Sequence, residues 1–115
     1  MKEDFLDFVN DALDAMTHAE SFVAGMGYDA FSKDTKTIFA VIRALEIVGE
    51  AVKRIPENIR EQYPQISWKA IAGMRDKLIH GYGNVNLNLV WETTTKKIPK
   101  TKPLFQKIIE DYTNQ

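Results

Sequence analysis

The sequence predicts an all-α protein: an up-and-down four-helix bundle carrying one extra short helix. Three observations lead there. Apolar residues recur at spacings of three and four along four long segments, which is the period of a half-buried helix. Glycine and proline fall between those segments rather than through most of them. No stretch alternates with the period of a strand, apart from the brief Asn-rich NVNLN at 84–88. At 115 residues and 44% hydrophobic, the chain is one domain, 1–115, with a core of its own. A bundle this small leaves apolar surface on a helix face, which favours a homodimer.

The first helix is expected over 3–26. Phe5, Phe8, Val9, Ala12, Met16, Ala19, Phe22, Val23 and Met26 form its inner stripe, and Asp4, Asp7, Asp11 and Asp14 its acidic face. Gly25 and Gly27 end it, and a connection with Tyr28 and Phe31 follows. Asp34 or Thr35 caps a second helix over 35–55, whose stripe is Ile38, Val41, Ile42, Leu45, Val48, Val52 and Ile55. Its apolar arc is wide, so it should be the most buried. Gly49 lowers its helix propensity by about 1 kcal/mol relative to Ala and marks a close helix approach. Pro56 opens the short helical turn PENIREQY, which stops before Pro64. Ser67 is the candidate cap of the third helix, 67–81, with Trp68, Ile71, Met74 (or Ala72), Leu78 and Ile79 facing inward. Gly81 and Gly83 end it around Tyr82. The fourth helix runs from Leu87 to Tyr112 on Val90, Trp91, Thr94, Ile98, Leu104, Phe105, Ile108 and Ile109; Pro99 and Pro103 should kink or split it.

Composition removes several function classes. There is no cysteine, so a disulfide scaffold, a thiolate zinc site and a cysteine nucleophile are excluded. The start MKEDFLDFV is acidic where a signal peptide needs a basic then apolar run, and no apolar stretch nears the roughly 18 residues of a membrane span. The expectation is a soluble, cytoplasmic protein with no membrane contact. The net charge of −1 conceals an asymmetry. Residues 1–34 hold two Lys and eight Asp or Glu, hence −6; residues 35–115 hold thirteen Lys or Arg and eight Asp or Glu, hence +5. A polyanion would meet the later part of the chain.

The chemistry-bearing residues lie in RDKLIHGY. Arg75 stands five residues before His80, one of only two histidines, and Tyr82 two residues after it. On an ideal helix Arg75 and His80 are about 140° apart and roughly 7.5 Å apart along the axis. A long arginine can still bring its guanidinium near an imidazole at the helix end, so both can contact one phosphodiester. Those residue types suit transesterification of RNA. A near-neutral imidazole takes the 2′-OH proton or protonates the 5′-oxygen. An arginine holds two oxygens of the charged phosphorane. RNA brings its own nucleophile, so neither a cofactor nor a metal is expected. One histidine per chain is short of an acid plus a base, and a two-fold dimer that joins two sites supplies both. A lone Arg and a lone His near a helix end also serve as surface or capping groups, so spacing alone leaves both readings open.

The motif resembles the R-X4-H-X-Y signature of HepT-type toxins in the HEPN superfamily, written here as Arg75, His80 and Tyr82. The likeness extends over residues 40–99, where LEIVGEA, PQISW, IAGMRD and VWE fall in the family's order and spacing, and less specifically over the rest of the chain. The resemblance implies the HEPN helical bundle, usually a homodimer with two motifs facing one cleft. It implies a metal-independent endoribonuclease with Arg75 and His80 catalytic. It also implies a partner, a minimal nucleotidyltransferase antitoxin, that adenylylates the motif tyrosine, here Tyr82. An adenylyl group there would put bulk and phosphate charge into an anion-binding cleft. A different class remains open: a non-catalytic HEPN module that serves a nucleotidyltransferase as a regulatory subunit. DNA is not an expected partner.

The remaining polar residues carry paired readings. Glu46 and Glu50, four apart on one helix face, either salt-bridge to Arg43, Lys53 or Arg54, or orient Arg75, or bind Mg²⁺ as a small metalloenzyme would; Glu46 is the one expected to enter the cleft. Asp76 either fixes the His80 tautomer or sits in solvent. His18 belongs to the surface. Lys69, Lys77, Lys96 and Lys97, with Lys100 and Lys102, are candidate RNA-phosphate contacts or a solvated face. Trp68 and Trp91 could stack bases, but at helical spacing among Ile and Val they read as core.

Overall fold

The computed structural model describes residues 4–78 and 85–113, the side chains of Asp4 and Arg75 excepted. Every element among the described residues is helical: α1 (Asp4–Phe22), α2 (Tyr28–Lys33), α3 (Thr35–Lys53), α4 (Glu57–Arg60), α5 (Trp68–Ala72), α6 (Met74–Leu78), α7 (Leu87–Glu92), a π-helical turn (Thr93–Lys97) and α8 (Ile98–Thr113). The all-α bundle expected from the periodicity is present. α1 packs between α3 and α8, α3 lies against α5 and α6, and α7 with the π turn continues from α6 into α8. The core runs down the middle: Val9, Val41, Leu45, Val90, Phe105 and Ile108 have no exposed surface.

Each helix end has a local cause. α1 stops four residues earlier than its apolar stripe suggests. Tight bonds from Val23 N–H to Glu20 O and Ala24 N–H to Ser21 O wind up its last turn, and Gly25 follows at φ +80°, a conformation that favours glycine. Phe22, expected inside, is therefore 40% exposed, and the exposed His18 ring stacks on it at 6.2 Å. The connection that follows is itself helical, as α2. It presents the fully buried Phe31, whose ring lies 5.1 Å from that of Trp91. Asp34 caps α3 by accepting a hydrogen bond from Thr37 N–H at 3.1 Å, and that bond holds its carboxyl below the usual range.

The third helix departs further from expectation. Ser67 occupies the N-cap position of α5, but its side chain makes no capping bond. What anchors this end is Trp68, nearly buried, whose indole N–H donates to both Arg60 O and Tyr63 O at 3.0 Å. The expected continuous helix is broken at Gly73 into α5 and α6. Gly49 does mark a close approach: a Cβ there would sit 3.3 Å from the Ile71 carbonyl oxygen on α5. The fourth helix is not split by its prolines. Asn86 caps it through Leu89 N–H at 3.0 Å, and it runs on through Pro103. Pro99 stands two residues beyond the π turn, next to Ile98, whose N–H bonds back five residues to Thr93 O. Its missing N–H thus falls where the ladder changes register anyway.

Candidate active site

The site begins with how α6 is held. Its backbone carries Arg75 and Asp76, and the α5–α6 segment rests on α3 where Gly49 admits it. Trp68 ties the beginning of that segment to the α4 loop. The position of Arg75 therefore depends on one glycine and one indole, both outside the motif. His80 and Tyr82 lie outside the described residues. Asp76 is exposed on α6. Glu46 projects from α3, the helix that packs on α6, with its side chain only 16% exposed.

Glu46 and Glu50 meet the salt-bridging expectation through Arg43, at 3.6 and 3.4 Å. With 61% of the Arg43 side chain exposed, these pairs add little stability. Among the described residues no group of three or more His, Asp or Glu could hold a metal ion. Trp68 and Trp91 belong to the packing, Trp68 5.4 Å from Phe105 and Trp91 against Phe31 and Tyr28. No helix among the described residues is long and apolar enough to cross a membrane.

The lysines divide into groups. Lys69, Lys77, Lys96 and Lys97 are all exposed. Lys102 is engaged elsewhere, 2.8 Å from Glu20 on α1. Lys77 and Lys97, together with Lys100, line one groove of about 470 Å³ that runs beside α6. Leu45 and Val48 contribute from α3, Ile71 and Met74 from the α5–α6 side, and Leu89 and Thr93 from the α7 side. Among the described residues no carboxylate lines it, which leaves a cationic, largely aliphatic surface next to the motif helix. Lys69 and Lys96 do not line it. Sequence reasoning found the lysines but missed the groove and Thr93. The threonine run at 93–95 just before Pro99 was the available signal, since three β-branched residues in a row are unusual in a helix meant only for packing.

The perturbed groups lie elsewhere. Tyr63, buried beside α8, donates to Asp111 Oδ2 at 2.7 Å. Burial and then the carboxylate push the phenol far up, while the phenol and Lys107 hold Asp111 below the ordinary carboxylate range. This pair fastens α8 to the α4 loop and takes no part in the groove.

Such an arrangement, an arginine helix beside a groove whose described lining carries lysines and no carboxylate, suits a phosphodiester polyanion. Comparison with known proteins agrees with it. The family model described as "Ribonuclease HepT-like" matches residues 12–108. Two Methanocaldococcus jannaschii proteins, provisionally named RNases, are 47% and 48% identical over 110 residues, 96% of this chain and 91% and 95% of theirs. A Thermococcus cleftensis protein named "Probable ribonuclease HepT" is 43% identical over 108 residues, 94% of this chain and 98% of its own. No solved structure matches the chain.

Proposed function

The chain belongs to the HepT-like ribonuclease family, and from that premise we propose that it is the RNase toxin of a toxin–antitoxin pair. It is an endoribonuclease that cleaves RNA by transesterification. The 2′-oxygen attacks phosphorus and forms a 2′-O–P bond, the P–O5′ bond breaks, and a 2′,3′-cyclic phosphate remains. His80 accepts the 2′-OH proton or returns one to the 5′-oxygen. Arg75 holds the phosphorane oxygens, where charge accumulates. Glu46, half-buried on the helix beneath α6, orients Arg75, and Asp76 sets the His80 tautomer. Lys69, Lys77, Lys96 and Lys97 contact RNA phosphates. Two chains associate as a homodimer, which places two histidines at one cleft. A nucleotidyltransferase antitoxin neutralises the toxin by adenylylating Tyr82.

The observation that carries this reading is the family match across residues 12–108, which spans the whole R-X4-H-X-Y motif. The groove beside α6 adds to it, because its described lining has three lysines and no carboxylate, which suits the substrate's phosphates. The test is incubation of the unmodified protein with mixed cellular RNA in EDTA, beside His80→Ala and Arg75→Ala. Fragments ending in 2′,3′-cyclic phosphate, absent with either variant, are expected. Undiminished cleavage by His80→Ala, or no cleavage by the folded, unmodified protein, would overturn the assignment.

A further inference from the structure

The groove asks for a ligand of defined character. Lys77, Lys97 and Lys100 make no ion pair among the described residues, whereas Lys33, Lys102, Lys107 and Arg43 each have a carboxylate partner. Three cations without a carboxylate partner therefore face a surface of aliphatic side chains interspersed with Gln65, Ser67, Thr93 and Thr101. A second observation is independent of charge. Thr93 lines the groove and is only 5% exposed, yet its hydroxyl makes no hydrogen bond among the described residues. Its neighbours behave differently: Thr94 returns its hydroxyl to Val90 O at 2.9 Å, and Thr95 to Trp91 O at 2.7 Å. A hydroxyl that lines the groove and is not returned to its own helix is available to bond a ligand there.

Given the ribonuclease reading, on which this rests, we propose that the groove seats one unstacked nucleotide of single-stranded RNA beside the cleaved bond. The base lies between Ile71 and Met74 on one side and Leu89 on the other. Its hydrogen-bonding edge meets the Thr93 hydroxyl, and the flanking phosphates meet Lys77, Lys97 and Lys100. The volume of about 470 Å³ lies within the range of small-ligand sites and exceeds what a single base needs. A base has two apolar faces and a polar edge, so it satisfies walls and hydroxyl together. An acidic peptide would match the lysines with its carboxylates and the walls with its aliphatic side chains, but those side chains carry no polar edge to meet Thr93. Duplex RNA hides its bases in the stack and cannot enter. Single strands are thereby selected, and the groove, not the Arg75–His80 pair, sets which base stands next to the cut.

Two of the four methionines, Met16 and Met74, line the groove, and Met26 does not. Methyl-labelled methionine NMR therefore reads the site directly, with a tetranucleotide made uncleavable by 2′-O-methylation as the probe. The Met74 signal should shift and saturate while that of Met26 stays. The exposed triple variant Lys77→Ala/Lys97→Ala/Lys100→Ala should bind at least about tenfold more weakly, with a salt slope smaller by about 2. Thr93→Val, which exchanges the hydroxyl for a methyl group of like size, should change the preference among the four bases. Binding that leaves Met74 unmoved, or that the triple variant retains in full, would overturn the groove while cleavage of cellular RNA still upholds the ribonuclease. A Met74 shift caused by an acidic leucine-rich peptide but not by the oligonucleotide would overturn it too, in favour of a protein ligand. Failure of both binding and cleavage would remove the ribonuclease reading itself.

Discussion

Gly49→Val separates packing from propensity at the contact that places the motif helix. By intrinsic preference the change should help, since valine is better than glycine in a helix interior by about 0.5 kcal/mol. The geometry opposes it. The new Cβ would stand 3.3 Å from Ile71 O and 3.8 Å from Ala72 O, both of them backbone atoms of the α5 segment. Two methyl groups reaching about 1.5 Å further cannot be accommodated without moving that segment. Overpacking of this kind costs about 1–3 kcal/mol, so the net loss is about 1–2 kcal/mol, or roughly 4–8 °C in Tm for a domain of this size. Thermal melts at fixed protein concentration measure it, with Gly49→Ala as the intermediate member of the series. The same displacement carries Arg75 with it, and an ångström of misplacement costs on the order of a hundredfold in rate. Cleavage assayed well below Tm should therefore fall far more than RNA affinity does. A Gly49→Val protein as stable as the parent, or more so, would refute the reasoning, because it would show that α5 yields freely at this contact.

Tyr63→Phe removes the bond to Asp111 and should cost about 1 kcal/mol at neutral pH, read by urea denaturation. Because Asp111 is held below its ordinary 3.8, its contribution is present above that pH and fades as pH falls through the lowered value; Tyr63, raised above 10.0, contributes below that pH and loses its contribution as pH rises further. The variant should thus show a flatter stability profile at both extremes, and an unchanged profile would remove the pair from the account. Asn86→Ala deletes the cap of α7 and should cost about 1 kcal/mol, visible as faster amide exchange at Leu89. Glu46→Gln should lower kcat about tenfold with KM little changed, as expected if it positions Arg75 rather than binding RNA; a change confined to KM would contradict that role.

The bundle was legible because its signal is collective. Val41, Leu45, Val48 and Val52 repeat a period that no loop would produce, and all four are buried. Gly49 was legible for the same reason, as the one position in that helix where a side chain was withheld. What escaped were features set by a few atoms. α2 has six residues, too few for a period to show, and it exists because Phe31 finds a pocket against Trp91. The groove escaped because its walls come from α1, α3, α5, α6, α7, the π turn and α8, and no single segment records that the lysines of α6, the π turn and α8 converge. Lys77 and Lys97 stand twenty residues apart in the chain and share one surface, while Lys96, adjacent to Lys97, is not part of it.

The π turn joins these two scales. Val90 and Ile98 are both buried, at 0% and 4% exposure. On an uninterrupted α-helix eight residues would leave them about 80° apart, near opposite edges of one buried arc. The bond from Ile98 N–H to Thr93 O absorbs one extra residue, which takes back about 100° and brings the pair within about 20° of each other. The stripes before and after Thr93 are thus two α-helical stripes out of phase, and the turn is the adjustment that lets both meet the core. The adjustment also leaves Thr93 buried without an intrahelical bond for its hydroxyl, and it sets Lys97 toward the groove and Lys96 away from it. A phase mismatch in the core thereby determines which polar groups line the surface beside the motif helix.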